Sequence, residues 1–146
     1  RLAYTWLWNA EQTDPFREVV SGALIAGSDS GNRQPYAPEH EITAALGFAR
    51  GPFDGQIELV YLDEMYSDFN NTHNPAANPD GPNGQRGVID SHRLFNLALN
   101  YRLEDLGTTL FFAVKNLGDR EYIVDRTRGI QVGMPRLVQV GARYSF

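Results

Sequence analysis

Five arginines, Arg33, Arg86, Arg93, Arg126 and Arg128, are the residues of this sequence best suited to binding chemistry. A guanidinium presents a planar fork of donors that matches a carboxylate bidentately, and its charge strengthens each hydrogen bond. The five lie in or beside stretches rich in turn-forming residues, so the ligand they suit is an anion captured by loops. Arg126 and Arg128 are favoured, because an extended Asp125-Arg126-Thr127-Arg128-Gly129 projects both to the same side. The competing role for each arginine is ordinary pairing with Asp, Glu or a phosphate-bearing surface.

Other site chemistry is thinly represented. The sequence has no G-x-S-x-G, phosphate loop, dinucleotide fingerprint or H-E-x-x-H, and the adjacent Asp63 and Glu64 point to opposite faces of a strand. Catalysis is therefore not expected. His40, His73 and His92 are scattered without ligand spacing, so no histidine metal site is expected. The Asn- and Asp-rich stretch from Asp68 to Asp80 offers oxygen ligands to a hard cation, but its spacing matches no calcium loop and a solvated loop is the expectation. No intrinsic cofactor is expected.

The elements that must position these arginines follow from composition and periodicity. Aromatics make up 12% of the 146 residues, more than a small soluble core needs. The mean hydropathy of -0.40 and the lack of an apolar run near 18 residues exclude a transmembrane helix, yet leave a membrane barrel open, because only every second barrel residue meets lipid. A net charge of -5 argues against nucleic acid as a partner. The absence of cysteine removes disulfides and thiolate sites without fixing the redox compartment.

Period-2 alternation predicts about six antiparallel strands, near residues 1–9, 36–50, 56–67, 91–103, 108–118 and 136–146. One face of the second, for example, carries Ile42, Ala44, Leu46 and Phe48. Connections alternate between short turns, at 50–55 and 104–107, and long loops, at 10–35, 67–90 and roughly 118–135. Short turns at one end and long loops at the other is the asymmetry of outer-membrane barrels, with the loops outside the cell. A soluble β-sandwich or lipocalin-like barrel would also alternate. Trp6, Trp8, Tyr61, Tyr66, Tyr101, Tyr122 and Tyr144, near strand ends, fit interfacial girdles better, and Arg102 and Arg143 on the opposite parity fit a wet lumen. Because Arg1 leads straight into a strand-like run, the chain is expected to be part of something longer.

Gln139-Val140-Gly141-Ala142-Arg143-Tyr144-Ser145-Phe146 resembles the C-terminal signal read by the outer-membrane assembly machinery: Gln139, Gly141, Tyr144 and Phe146 match its polar, glycine and two aromatic positions. Val114-Lys115-Asn116-Leu117-Gly118-Asp119-Arg120-Glu121-Tyr122 resembles the penultimate strand and last loop of TonB-dependent receptors. The continuation through Tyr122-Ile123-Val124-Asp125-Arg126-Thr127-Arg128-Gly129-Ile130, Gly133 and Pro135-Arg136 is similar to receptors of the ferric-citrate type, and Pro35-Tyr36-Ala37-Pro38-Glu39-His40 resembles the family's re-entry segment.

The resemblance spans roughly residues 34–146. It implies an all-β fold, in which residues 1–146 supply about the last six strands of a 22-stranded transmembrane barrel, with the plug domain and earlier strands outside this chain. It implies an outer-membrane location in a Gram-negative cell and import of a ferric chelate as transported ligand. The implied partners are the TonB-ExbB-ExbD system, through the missing N-terminal part, the assembly machinery, and lipid with lipopolysaccharide. A receptor for haem, cobalamin or a glycan, and a structural or adhesive barrel, remain as alternatives.

Overall fold

The computed structural model describes residues 1–20, 23–74, 84–126 and 128–145. Its strands, in chain order, are β1 (Leu2–Trp6), β2 (Phe16–Val20), β3 (Ala23–Ser28), β4 (His40–Arg50), β5 (Phe53–Leu62), β6 (Met65–Tyr66), β7 (Val88–Ile89), β8 (His92–Leu103), β9 (Thr108–Lys115), β10 (Ile123–Asp125), β11 (Gln131–Val132) and β12 (Leu137–Tyr144). Six of them form a single antiparallel sheet in the order β1-β4-β5-β8-β9-β12. The remaining strands pair as three short ribbons, β2-β3, β6-β7 and β10-β11, inside the long connections.

Four of the six expected strand positions hold within a few residues, and two boundaries need correction. Residues 36–39 do not extend β4, because Tyr36 adopts a left-handed φ of 57° and is followed by Ala37-Pro38, which cannot continue a ladder. The turn expected at 50–55 is tighter, since Arg50 already pairs with Phe53 and only Gly51 and Pro52 lie between them. The long connections are also less irregular than composition suggested, each containing one of the short ribbons.

Register explains the alternation. One row runs Leu2, Ala44, Leu59 and Phe95; a lower one runs Phe48, Gly55, Leu99, Phe112 and Val140. These positions share one face of the sheet, and that face is apolar across its middle, with Thr108 near one end and His40 and Arg93 near the other. Leu2, Leu46 and Val140 on it are 72%, 76% and 73% exposed, so water would meet a broad hydrocarbon surface there. Strands such as β4, with 11 residues, are long enough for the job: at about 3.3 Å per residue and a tilt near 45° they span roughly the 25 Å apolar band of a transmembrane barrel.

The opposite face is polar and built from matched cross-strand pairs. Asn96 donates to Glu58 Oε2 at 2.9 Å, and Asn100 donates to Asp54 Oδ1 at 2.8 Å, each across a directly opposed pair. Arg102 and Arg143 fall on this polar face by parity, and Arg102 reaches the Gly51 carbonyl in the β4-β5 turn at 3.4 Å. Gly141 has a local reason as well. It sits opposite Phe111, and a Cβ there would come within 2.4 Å of the Phe111 ring, so glycine is what lets that ring lie across the polar face. Phe146, the last residue of the expected assembly signal, lies outside the described residues; Tyr144 of the same signal is exposed on the apolar face, and Gln139 is on the polar one.

Among the described residues the sheet does not close on itself, leaving β1 and β12 as its edges. The aromatic positions divide in two. Trp6, Tyr61, Tyr101 and Tyr144 belong to the apolar face near strand ends, as girdle residues should. Tyr66 and Tyr122 do not: they pack within the loops, Tyr66 against His73 and Tyr122 against His92.

Candidate functional site

Three long connections, residues 7–39, 63–91 and 116–136, emerge at one end of the sheet and are tied into one layer by hydrogen bonds. Between the first and second, Asn71 acts as a piece of surrogate backbone. Its side chain accepts from Arg33 N at 2.7 Å and donates to Arg33 O at 2.9 Å. Asn71 has a left-handed φ of 51°, a conformation that asparagine tolerates better than most residues. Asn32 adds a bond to the Phe69 carbonyl, and Tyr36 N donates to Tyr66 O.

Asp68 organises the second connection from within. Its carboxylate accepts from Asn70 N at 2.9 Å, Thr72 Oγ1 at 3.1 Å and Gly87 N at 3.3 Å, so its oxygens are occupied by the loop itself. The rest of the Asp68 to Asp80 stretch beyond Asn74 lies outside the described residues. Burial and the nearby Glu64 carboxylate push the Tyr66 phenol above its ordinary range, with Arg33 opposing, so it stays a neutral hydroxyl beside His73 Nε2 at 2.8 Å.

The third connection locks onto both others through Tyr36, Asp125 and Arg126. Tyr36 donates to Asp125 Oδ1 at 2.6 Å, and its oxygen accepts from Arg126 N at 3.1 Å. The Arg126 side chain is buried and donates through Nε to Val88 O and through Nη1 to Gly84 O, both at 3.1 Å. Tyr36→Phe removes two of these bonds at once. It is expected to lower local stability by about 1–3 kcal/mol and to speed hydrogen exchange at the Arg126 amide while leaving β4 and β5 amides protected. Unaltered exchange at Arg126 would show that the tyrosine does not hold the loops together.

The arginines therefore separate by role. Arg126, expected at the mouth with its fork free, is instead committed to two backbone carbonyls. Arg33, expected beside it, donates to Leu7 O at 3.0 Å and pairs with Glu39 at 3.7 Å, which pins the root of the first connection. Arg93 pairs in register with Tyr61 and so lies on the apolar face, not the mouth side; an odd position in β8 cannot face inward while Asn96 and Asn100 do. Arg86 is half-buried in the second connection. Arg128 is exposed in the turn of the third, adjoining Gly129, and among the described residues its guanidinium has no partner.

The segment Asn116-Leu117-Gly118-Asp119 forms a knot at the top of β9. Asn116, buried and with a φ of 49°, donates to Arg120 O at 2.9 Å and Met134 O at 3.0 Å while accepting from Arg120 N at 2.8 Å. Asp119 accepts from Arg136 N at 2.9 Å and pairs with its guanidinium at 3.6 Å, so both ends of the last connection are fastened together. Tyr122 packs against Gly133, where a Cβ would come within 2.0 Å of the tyrosine ring. Sequence reading marked these residues for their family likeness; their work as loop fasteners, like that of Asn71 and Tyr36, had as its only local signal asparagines and aromatics set among Gly, Pro and Asp.

A crevice of about 360 Å³ opens beside this knot, lined by His92, Arg120, Tyr122, Ile130 and Val132. Asp90 and Glu121 line it as well, so its aromatic and aliphatic surface is bordered by one guanidinium and two carboxylates.

The family described as TonB dependent receptor-like, beta-barrel matches residues 1–117. No curated protein matches the chain by sequence. Among solved structures, the ferric citrate transporter FecA in unliganded form is similar at 25% identity and a TM-score of 0.65, over 77% of this chain and 17% of that one. The siderophore receptor PiuA from Acinetobacter baumannii shares 20% identity with a TM-score of 0.73, over 97% of this chain and 18% of that one. The ferric-catecholate import receptor Fiu from E. coli K12, in its closed form, shares 19% identity with a TM-score of 0.59, over 82% and 16% of the two chains. The chain thus spans less than a fifth of each of these relatives.

Proposed function

Because the chain belongs to the TonB-dependent receptor β-barrel family, we propose that it forms the last strands of a 22-stranded outer-membrane barrel whose complete receptor imports a ferric chelate with energy from TonB-ExbB-ExbD. The observation that carries the reading is the two-faced sheet itself. Its apolar face needs a hydrocarbon layer, its polar face needs a wet lumen, and its three long connections form one layer at a single end. In this reading the plug domain and the earlier strands lie outside residues 1–146, and those strands complete the ladder at β1 and β12.

A ferric citrate-like chelate is the ligand class we favour. FecA, similar at 25% identity, is a ferric citrate transporter, and Arg128 offers an exposed guanidinium at the loop end for a carboxylate. Equilibrium binding to the purified complete receptor tests this with ferric citrate, a ferric catecholate, haem, cobalamin and an oligosaccharide. Tighter binding of ferric citrate than of the rest is expected; preference for haem, cobalamin or the sugar would overturn the chelate assignment, and binding of none would favour a structural barrel.

The C-terminal signal gives a separate expectation. Phe146→Ala should reduce the heat-modifiable, folded protein recovered in outer membranes without lowering synthesis, because Phe146 fills the terminal aromatic position of the assembly signal that the sequence resembles. Equal recovery of the variant would remove Phe146 from the assembly signal.

A further inference from the structure

Arg93 and Arg120 are charged groups that neither the lumen nor the loop fasteners use. Arg93 stands at the loop end of the apolar face, in the row of Tyr61 and one step above the Leu59–Phe95 pair. A charge there has no place in hydrocarbon, yet at this height the face passes from lipid tails to headgroups. Its guanidinium has no acidic partner, and neither has that of Arg120, among the described residues. Both line one crevice of about 440 Å³, whose other walls include Tyr61, Phe95, Ser91 and Gly118. The Tyr61 hydroxyl donates to Asp63 at 3.0 Å, so that proton is committed; His92 also lines the crevice, with Nδ1 3.3 Å from the Asp90 carbonyl, and the two arginines supply its permanent positive charge.

We propose that this crevice holds the phosphate-bearing headgroup of an outer-leaflet lipid, lipid A in chemistry, with Arg93 and Arg120 as a two-guanidinium clamp and Phe95 against the first part of the acyl region. Position selects the ligand. A soluble anion would have to compete at a surface flanked by lipid-facing Phe95, whereas a lipid phosphate is held at that depth by its own chains. Guanidinium suits phosphate by the same bidentate geometry that suits carboxylate.

The inference rests on the membrane reading, so recovery of the complete receptor in outer-membrane fractions is measured first, in wild type and variants. The purified receptor in nanodiscs is then titrated with bis-phosphorylated lipid A, dephosphorylated lipid A and inorganic phosphate. Wild type is expected to prefer the phosphorylated lipid, R93Q/R120Q to bind it about tenfold to a hundredfold more weakly, and R93K/R120K to recover part of that loss. The dephosphorylated lipid should be insensitive to the variants. Equal binding of phosphorylated lipid by R93Q/R120Q and wild type, in receptor that still reaches the membrane, overturns the clamp alone. Displacement of the lipid by inorganic phosphate at equal concentration would reassign the crevice to a soluble anion and overturn the lipid source. Absence of the wild type from the membrane would overturn the membrane reading together with the clamp.

Discussion

Asn116→Ala should release the last outer connection and cost about 3–4 kcal/mol of local stability, from three side-chain hydrogen bonds worth roughly 1 kcal/mol each and an unfavourable left-handed alanine worth about 1 kcal/mol. The asparagine is buried, so the two carbonyls it serves, on Arg120 and Met134, lose a partner in a place where water does not readily replace it. Asn116→Gly separates the two contributions. Glycine accepts the φ of 49° without strain but restores no hydrogen bond, so it should recover only the smaller, conformational part. Hydrogen exchange at the Arg120 amide is the measurement, with β8 amides as the internal reference. A glycine variant as well protected as wild type would show that backbone conformation, and not the side-chain bonds, dominates this knot.

Arg126→Ala and Arg128→Ala are expected to diverge, although their neighbouring positions suggested a shared role in capture. Removing the Arg126 side chain strands the Val88 and Gly84 carbonyls and uncouples the second connection from the third, a loss of about 2–4 kcal/mol for a hydrogen-bonded charged group in a buried position. Chelate affinity should fall with it, indirectly, through loop disorder. Arg128 is exposed and makes no such bonds, so Arg128→Ala should leave loop protection intact and weaken an anionic chelate by about threefold to thirtyfold if it touches the ligand. Protease resistance of the outer loops read alongside ferric citrate affinity separates these outcomes. Loops equally resistant in both variants would return Arg126 to the mouth as a ligand group; unchanged affinity in Arg128→Ala would remove Arg128 from the site.

The sheet was legible because lipid and lumen impose opposite chemistry on adjacent residues, and that period survives in rows such as Phe95, Leu97 and Leu99 against Asn96 and Asn100. Boundaries were less legible where a turn residue also has strand propensity. Phe53 and Asp54 belong to β5 although they follow Gly51-Pro52, and Tyr36 leaves the ladder although it is an aromatic next to a predicted strand. The arginines show the deeper limit. Residue type made Arg33, Arg93 and Arg126 candidates for an anionic ligand, but where each guanidinium goes depends on the parity of β8 for Arg93 and on contacts between distant loops for the other two. Parity can be read from one strand, and for Arg93 it follows from Asn96 and Phe95 flanking it on the two faces. The bond from Arg126 to Gly84 joins residues 42 apart, and no local pattern encodes it.

The most direct test of the account is energy-dependent uptake. Cells expressing the complete receptor that contains this chain are supplied with radioiron as ferric citrate, with and without a functional TonB, at matched surface levels of receptor. Iron that accumulates only when TonB is functional, and is reduced by excess unlabelled ferric citrate, is the predicted result. Uptake that is the same without TonB, or a receptor that reaches the outer membrane and moves no iron from the chelate, would contradict it.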